Sequence, residues 1–156
     1  MAGERVDKYW AELADRAESH IEEHYMPFLD AHFAFALARA GRTSALAQLR
    51  ARVAERAGRG DAEATRSWAP VGRALVDACA AYARGEAARS ADLLDPVMAN
   101  VTVVGGSDAQ VDLFRQTHFR SLLDCGRKSD AKAYWTTKTA GTTLSPLDRS
   151  WLSLAS

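Results

Sequence analysis

Five consecutive residues near the start of the chain have the spacing of a catalytic metal motif. The segment His20-Ile21-Glu22-Glu23-His24 follows the pattern H-x-x-E-H, which is the inverted zinc-protease motif. Residues four apart lie on one face of a helix, so His20 and His24 can bind one metal ion while Glu23 acts as a base. The same residues also fit a charged helix end with two surface histidines at the rim of the fold, which binds no metal. Both interpretations remain open from the residues alone.

Six polar side chains elsewhere are candidates for the lining of a ligand-binding groove. Asp30 and His32 begin a very apolar segment, where a buried polar group must be hydrogen-bonded within the protein or contact a ligand. His118 lies in the apolar stripe of a later predicted helix, either as a satisfied core histidine or in a pocket shared with His32. The candidate groove residues are Asp30, His32, Tyr82, Gln110, Asp112 and His118.

Other motifs that would mark an enzyme class are incomplete. Gly105-Gly106-Ser107 precedes a predicted helix, but no Lys-Ser or Lys-Thr pair follows it, so it does not predict a nucleotide-binding loop. We predict instead a sharp turn in which Ser107 is the N-cap of the helix. Cys79 and Cys125 are too few for a disulfide framework, and we predict that both are small buried residues.

The composition is that of a helical protein with balanced charge. The 156 residues include 31 alanines, the best helix former, and a single isoleucine, whereas strands favour β-branched residues. Lys+Arg and Asp+Glu both total 20, which excludes a generally basic nucleic-acid binder and gives no long-range attraction to an anionic membrane. No apolar run approaches the roughly 20 residues that span a bilayer, so we expect a cytoplasmic location. Sixteen arginines against four lysines suggest a bacterial gene.

Apolar residues at helical spacing predict seven helices and a short closing one. Between them, Val101–Val104 is predicted to be an extended connection and 58–65 a loop. Glycines follow three of the predicted helices, at Gly41, Gly85 and Gly126, and are 44 and 41 residues apart. A helix-turn-helix unit repeated near this length is typical of an α-solenoid. The predicted helices are Arg5–His24, Phe28–Ala40, Thr43–Ala57, Ser67–Arg84, Glu86–Met98, Ser107–Cys125, Ser129–Trp135 and a last one that begins at Pro146.

Several segments resemble tetratricopeptide repeats. The string AYARGEAA at residues 81–88 is similar to the turn and second helix of such a repeat. Other segments resemble the late part of the tetratricopeptide-repeat-protein-38-like family, and with them the likeness covers roughly residues 21–154. The resemblance implies tetratricopeptide-like helix pairs but no reaction, because the family is not defined by one. The segments similar to that family are HYMPFLDAH at 24–32, VGGSDAQ at 104–110 with Asp112 and Phe114, and SPL at 145–147 with Trp151.

These observations predict a single all-α domain over residues 1–156. We expect a right-handed stack of about three tetratricopeptide-like helix pairs, with an extra N-terminal helix and a short C-terminal capping helix. The first helix of each pair is expected to line a concave inner surface. The end helices are expected to cap the stack, or to form a homodimer contact where their apolar faces stay exposed.

The expected function is binding without catalysis. A concave helical groove would hold a peptide, a partner protein or a small ligand, with no cofactor, nucleic acid or membrane involved. The alternative is a small bacterial enzyme of specialised metabolism that uses a His/Asp pocket, with or without a metal ion. An enzyme requires at least two of these groups to converge in one closed pocket, whereas a binding module spreads them along an open groove.

Overall fold

The protein is helical throughout the part that the structure, a computed structural model, describes, which is residues 9–156. These residues contain no β-strand, so the all-α prediction is confirmed. A π-helical segment, Ala64–Gly72, runs directly into the fourth α-helix, and a 3-10 helix, Met98–Val104, follows the fifth. Within the described residues, no helix is both long and apolar enough to cross a membrane. The α-helices are α1 (Trp10–Glu18), α2 (Pro27–Arg39), α3 (Thr43–Ala57), α4 (Arg73–Ala83), α5 (Ala87–Leu94), α6 (Asp108–Asp124), α7 (Lys128–Lys138) and α8 (Pro146–Leu154).

Most helix boundaries follow the capping and glycine signals of the sequence. α3 has its predicted bounds, and α2 and α6 differ from prediction by one residue at each end. Ser107 is the N-cap of α6, as predicted: its hydroxyl accepts from the Gln110 N–H, and Gln110 Oε1 accepts from the Ser107 N–H at 2.8 Å. Ser145 and Asp148 begin α8 in the same way. These reciprocal bonds satisfy backbone donors that the first helical turn leaves free.

The first helix is shorter than predicted. Its predicted range reaches from Arg5, which lies outside the described residues, to His24, whereas α1 ends at Glu18. The Ser19 hydroxyl donates to a carbonyl of the last turn at 2.7 Å, a bond that competes with helical hydrogen bonding. Turns then lead to His24, whose backbone is left-handed with φ 45°. The prediction that His20 and His24 share one helical face is therefore wrong.

The segment predicted to be an extended connection is a 3-10 helix. Met98, Val101 and Val104 are all buried, and their spacing of three matches the three residues per turn of this helix type. Burial of one face overrides the preference of valine for extended structure. The loop predicted at 58–65 is shorter than expected, because helical structure already begins at Ala62.

Three turns of the same geometry join α2 to α3, α4 to α5 and α6 to α7. Each contains a glycine in the left-handed region: Gly41 has φ 71°, Gly85 has φ 81° and Gly126 has φ 84°. In each turn the N–H after the glycine donates to the carbonyl five residues earlier, and the glycine N–H donates to the carbonyl three residues earlier. These are the two bonds of the Schellman motif, which needs a left-handed residue at this position. The predicted glycine turns are therefore confirmed.

We expect Gly85→Val to lower the free energy of unfolding by about 1–3 kcal/mol, because a β-branched residue is strongly disfavoured at positive φ. Among the described residues, a Cβ at this position would meet no atom within 4 Å, so the loss reports backbone conformation and not a clash. Urea unfolding followed by circular dichroism measures the change. Gly85→Asn is the control and should be less destabilising, since asparagine tolerates this conformation. A valine variant as stable as the natural chain would contradict the left-handed turn.

The helices bury two hydrophobic clusters. The larger one, the main core, extends from α1 to the first half of α6 and includes the fully buried Trp68. The smaller one, the C-terminal core, contains Phe119, Trp135 and Trp151 from α6, α7 and α8. Tyr134 on α7 packs against both clusters. A surface cavity lies where the two cores adjoin.

Candidate functional site

An open cavity of about 460 Å³ lies between the end of α5, the 3-10 helix, α6 and α7. Met98 and Leu122 contribute apolar surface to its wall. The polar and charged lining residues are Asp95, Arg115, His118, Asp130, Tyr134, Thr137 and Lys138. Apolar side chains among several charged ones can contact a ligand that carries both apolar and charged groups.

His118 is a deeply buried polar residue in the cavity wall. Its side chain is 3% exposed, and its Nε2 lies 3.1 Å from Asp95 Oδ1. The Tyr134 ring packs edge-on against it, with 4.5 Å between centroids. Burial lowers the pKa of His118 by more than the charge of Asp95 raises it, so the ring is neutral at pH 7. Nε2 faces the Asp95 carboxylate, and Nδ1 is buried without a hydrogen-bond partner among the described residues.

The cavity is acidic at the end next to the α6–α7 turn. Arg127 contacts three carboxylates there: Asp130 at 2.7 Å, Asp95 at 2.9 Å and Asp92 at 3.2 Å. These contacts, the hydrogen bond to Asp130 foremost, raise the pKa of Arg127. Because His118 is neutral, the cluster has three negative charges against one positive charge. This end, the acidic end, therefore attracts cations.

The opposite end of the cavity, the basic end, presents two cationic side chains, Lys138 and Arg115. Lys138 Nζ lies 2.7 Å from Asp112 Oδ1 and 4.1 Å from the centre of the Trp135 ring. Arg115 also faces Asp112, but at 3.9 Å, which is longer than a hydrogen bond. Burial raises the pKa of Asp112, yet the hydrogen bonds from Lys138 and Gln116 outweigh it, so the net effect lowers the pKa and the carboxylate is charged. Two cations therefore contact one carboxylate here, and Asp148, which accepts from Trp135 Nε1, is a second carboxylate close enough to Lys138 to interact with its charge.

A second polar cluster lies inside the main core. His24 Nδ1 is 2.5 Å from Asp30 Oδ2, and the two side chains are 7% and 1% exposed. The His24 ring packs edge-on against Trp68, with 5.8 Å between centroids. His24 Nε2 and Trp68 Nε1 are buried and have no hydrogen-bond partner within the described residues. The expectation that His24 lies at the rim of the fold is therefore wrong.

The H-x-x-E-H segment does not bring its three polar residues together. His20 Nδ1 lies 2.8 Å from Glu23 Oε2 and its ring stacks on Phe33, whereas His24 pairs with Asp30. Nowhere among the described residues do three His, Cys, Asp or Glu side chains come close enough to hold a metal ion. The geometry therefore does not support the inverted zinc-protease interpretation.

Four of the six candidate groove residues lie in contacts away from the cavity wall, and one of them is Asp30, which pairs with His24 in the main core. His32 Nδ1 lies 2.7 Å from the carbonyl oxygen of Phe28, and the two rings pack together. The Tyr82 hydroxyl donates to Asp124 at 3.1 Å. Gln110 belongs to the capping box of α6. A single groove lined by all six residues stays a prediction.

Of the other two candidates, Asp112 and His118, only His118 lines the cavity. Asp112 borders it through the contact with Lys138. Reasoning from the sequence missed Asp95 and Tyr134, which reach His118 from other helices through long-range packing. One local signal was present: Tyr134 and Lys138 are four residues apart, so helical periodicity predicts that they share a face of α7.

Neither family models nor solved structures help to interpret this cavity. The chain matches no family model, and no solved structure matches it significantly. The resemblance to tetratricopeptide repeats therefore stays a prediction.

Proposed function

We propose that the chain is a non-catalytic binding module that holds a small molecule or a short peptide in the cavity beside His118. The observation that carries the proposal is an open cavity, with His118 in its wall, that presents apolar surface and side chains of both signs of charge. The cavity volume of about 460 Å³ also falls within the range of small-molecule sites.

A tetratricopeptide-like stack is the architecture that we propose around this cavity. The three equivalent glycine turns support it, as does the packing of α4 against both α2 and α5. Stacked helix pairs provide extended concave surfaces, which suit a peptide in extended conformation. Among the expected partners, this favours a short peptide over a folded protein.

The second candidate is an enzyme, and the pair formed by His118 and Asp95 favours it. A carboxylate beside an imidazole is an arrangement used by general bases, in which the carboxylate orients the ring. A base must come within hydrogen-bond distance of the proton that it abstracts. Since Nδ1 of His118 is buried, the geometry favours binding over catalysis.

Titration of the nitrogen-15-labelled chain with small molecules tests the proposal. The set contains cations, anions, zwitterions and neutral aromatics, and amide spectra are recorded at each step. We expect at least one class to shift the amides of Arg115, Tyr134 and Lys138 with saturation in the millimolar range or below, because these residues line the cavity. Conversion of a compound during the titration would favour the enzyme instead. If no class shifts these amides, the proposal is wrong.

A matched pair of variants locates the binding. Ala99 lines the cavity and is exposed, so Ala99→Trp fills the site without entering a core. Ala133 is exposed on α7 and does not line the cavity, so Ala133→Trp adds the same ring elsewhere. We expect the first variant to abolish the shifts and the second to retain them. Equal responses would place the binding outside the cavity.

A further inference from the structure

We infer that the ligand of this cavity is a free peptide of about three residues, with an unblocked amino terminus and an unblocked carboxyl terminus. The inference rests on the proposed function and names the ligand class for the same site. It is carried by the carboxylates of the acidic end and the cationic side chains of the basic end, by the distance between the two ends and by the apolar surface in the middle.

Antiparallel packing of α6 and α7 sets the distance between the two ends. Tyr134 of α7 contacts His118 of α6, and Lys138, one turn later on α7, contacts Asp112, which lies earlier on α6. The two helices therefore run in opposite directions from the turn that joins them. Asp130 and Lys138 are eight residues apart on α7, which corresponds to about 12 Å at the rise of an α-helix. A ligand that contacts both ends must therefore carry opposite charges that are well separated.

A tripeptide matches this separation. An extended chain spans at most about 3.3–3.6 Å per residue, so the termini of three residues lie about 10 Å apart. The protein side chains at the acidic and basic ends reach towards the peptide and span the rest of the distance to its termini. A free amino acid carries both charges on one carbon and cannot reach both ends. The length of the cavity thus selects a short peptide over its building blocks.

Arg115 is the residue best placed to bind the carboxyl terminus. Its guanidinium presents N–H donors in a planar fork that fits a carboxylate. The side chain is only 23% exposed, and within the described residues its partner is Asp112 at 3.9 Å, which leaves the donors without a close acceptor. Lys138, in contrast, already lies 2.7 Å from Asp112. A peptide carboxylate would supply the acceptor that Arg115 lacks.

The acidic end is suited to an ammonium group. Asp95 and Asp130 line the cavity, and together with Asp92 they share one guanidinium, that of Arg127. A second cation would therefore find carboxylates with uncompensated charge. Between the two ends, the apolar side chains and the Tyr134 ring favour a peptide with an apolar central residue.

Calorimetric titration of the full chain with the synthetic tripeptide Ala-Leu-Ala tests the inference. The same peptide is also prepared with an acetylated amino terminus, with an amidated carboxyl terminus and with both changes, and free leucine is included. We expect the free peptide to bind most tightly, and each blocked terminus to weaken binding about tenfold or more, as a lost charged hydrogen bond does. Free leucine should bind more weakly than the tripeptide.

Two variants assign the termini. In Arg115→Gln, amidation of the peptide should no longer change its affinity, because the group that recognises the carboxylate is gone. In Asp130→Asn, the effect of acetylation should be reduced, whereas the contact between Asp95 and His118 is kept. Arg120→Gln is the control, since Arg120 lies on α6 and pairs with Asp124 but does not line the cavity. Circular dichroism verifies that each variant folds.

The outcomes separate this inference from the proposed function. If all four peptides bind within about twofold of each other, or if none binds, the charged termini are not recognised and the inference is overturned. The proposed function still stands in either case if another class of compound shifts the cavity amides and Ala99→Trp abolishes that shift. If the free peptide binds equally well to Ala99→Trp, it binds elsewhere, and the inference is again overturned.

Discussion

Trp135→Ala is expected to lower the free energy of unfolding by about 3–5 kcal/mol, the range for loss of a fully buried large aromatic side chain. Trp135 is 1% exposed, stacks on Trp151 with 4.9 Å between ring centroids, and packs against Phe119 in a tilted arrangement at 5.0 Å. Its Nε1 also donates to Asp148 at 3.1 Å, the residue that completes the capping box of α8. The substitution therefore opens the C-terminal core and weakens the attachment of α8.

Urea unfolding followed by far-ultraviolet circular dichroism measures this loss without relying on tryptophan emission. Trp135→Phe is the control, because it keeps an aromatic ring between Phe119 and Trp151 and removes the bond to Asp148. We expect it to cost less than half as much as the alanine substitution. An alanine variant within about 1 kcal/mol of the natural chain would show that this core contributes little, since buried Trp→Ala changes are far larger.

Asp30→Ala is expected to destabilise the protein by a comparable amount, about 3–5 kcal/mol, because breaking a buried pair leaves its partner uncompensated. Asp30 is the partner of His24 Nδ1, and among the described residues the other nitrogen of that ring has none. The substitution would leave a buried imidazole with both nitrogens unsatisfied beside Trp68. It would also leave an empty space in the main core.

The same unfolding measurement checks this prediction, with two controls. Asp30→Asn keeps the size of the side chain and an acceptor oxygen, so it should be less harmful than alanine. Asp15→Ala removes a carboxylate that lies 2.6 Å from Arg42 but is 65% exposed, and we expect little loss because solvent screens such a pair. Equal effects of the substitutions at Asp15 and Asp30 would contradict the importance of burial for this pair.

The parts of the fold that local chemistry determines could be predicted from the sequence. Gly41, Gly85 and Gly126 end helices because they adopt a left-handed conformation at no steric cost. Ser107 caps α6 because its hydroxyl accepts a backbone N–H that would otherwise be free. The alanine content and the spacing of apolar residues were sufficient to predict the all-α fold class. Such signals act over a few residues, which is why the bounds of α3 were predicted correctly.

The parts that depend on distant packing could not be predicted in the same way. Val101 and Val104 favour extended structure locally, and only the core against which they pack makes a 3-10 turn the better solution. His24 is buried because Asp30 and Trp68 meet it from other segments. The cavity residues likewise come from three segments separated in sequence. The sequence shows which of these residues are charged or polar, but it does not show that they come together around one cavity.

Two α-helices within residues 9–156 supply buried side chains to both hydrophobic clusters: α5, with Leu94 in the main core and Ala91 in the C-terminal core, and α6. The first half of α6 gives Val111 and Phe114 to the main core, and its second half gives Phe119 and Leu122 to the C-terminal core. The cavity opens at this seam, where Tyr134 touches both clusters. A molecule bound in the cavity would contact side chains of both clusters, which α5 and α6 already connect, so its binding should make the two clusters unfold more nearly as one unit.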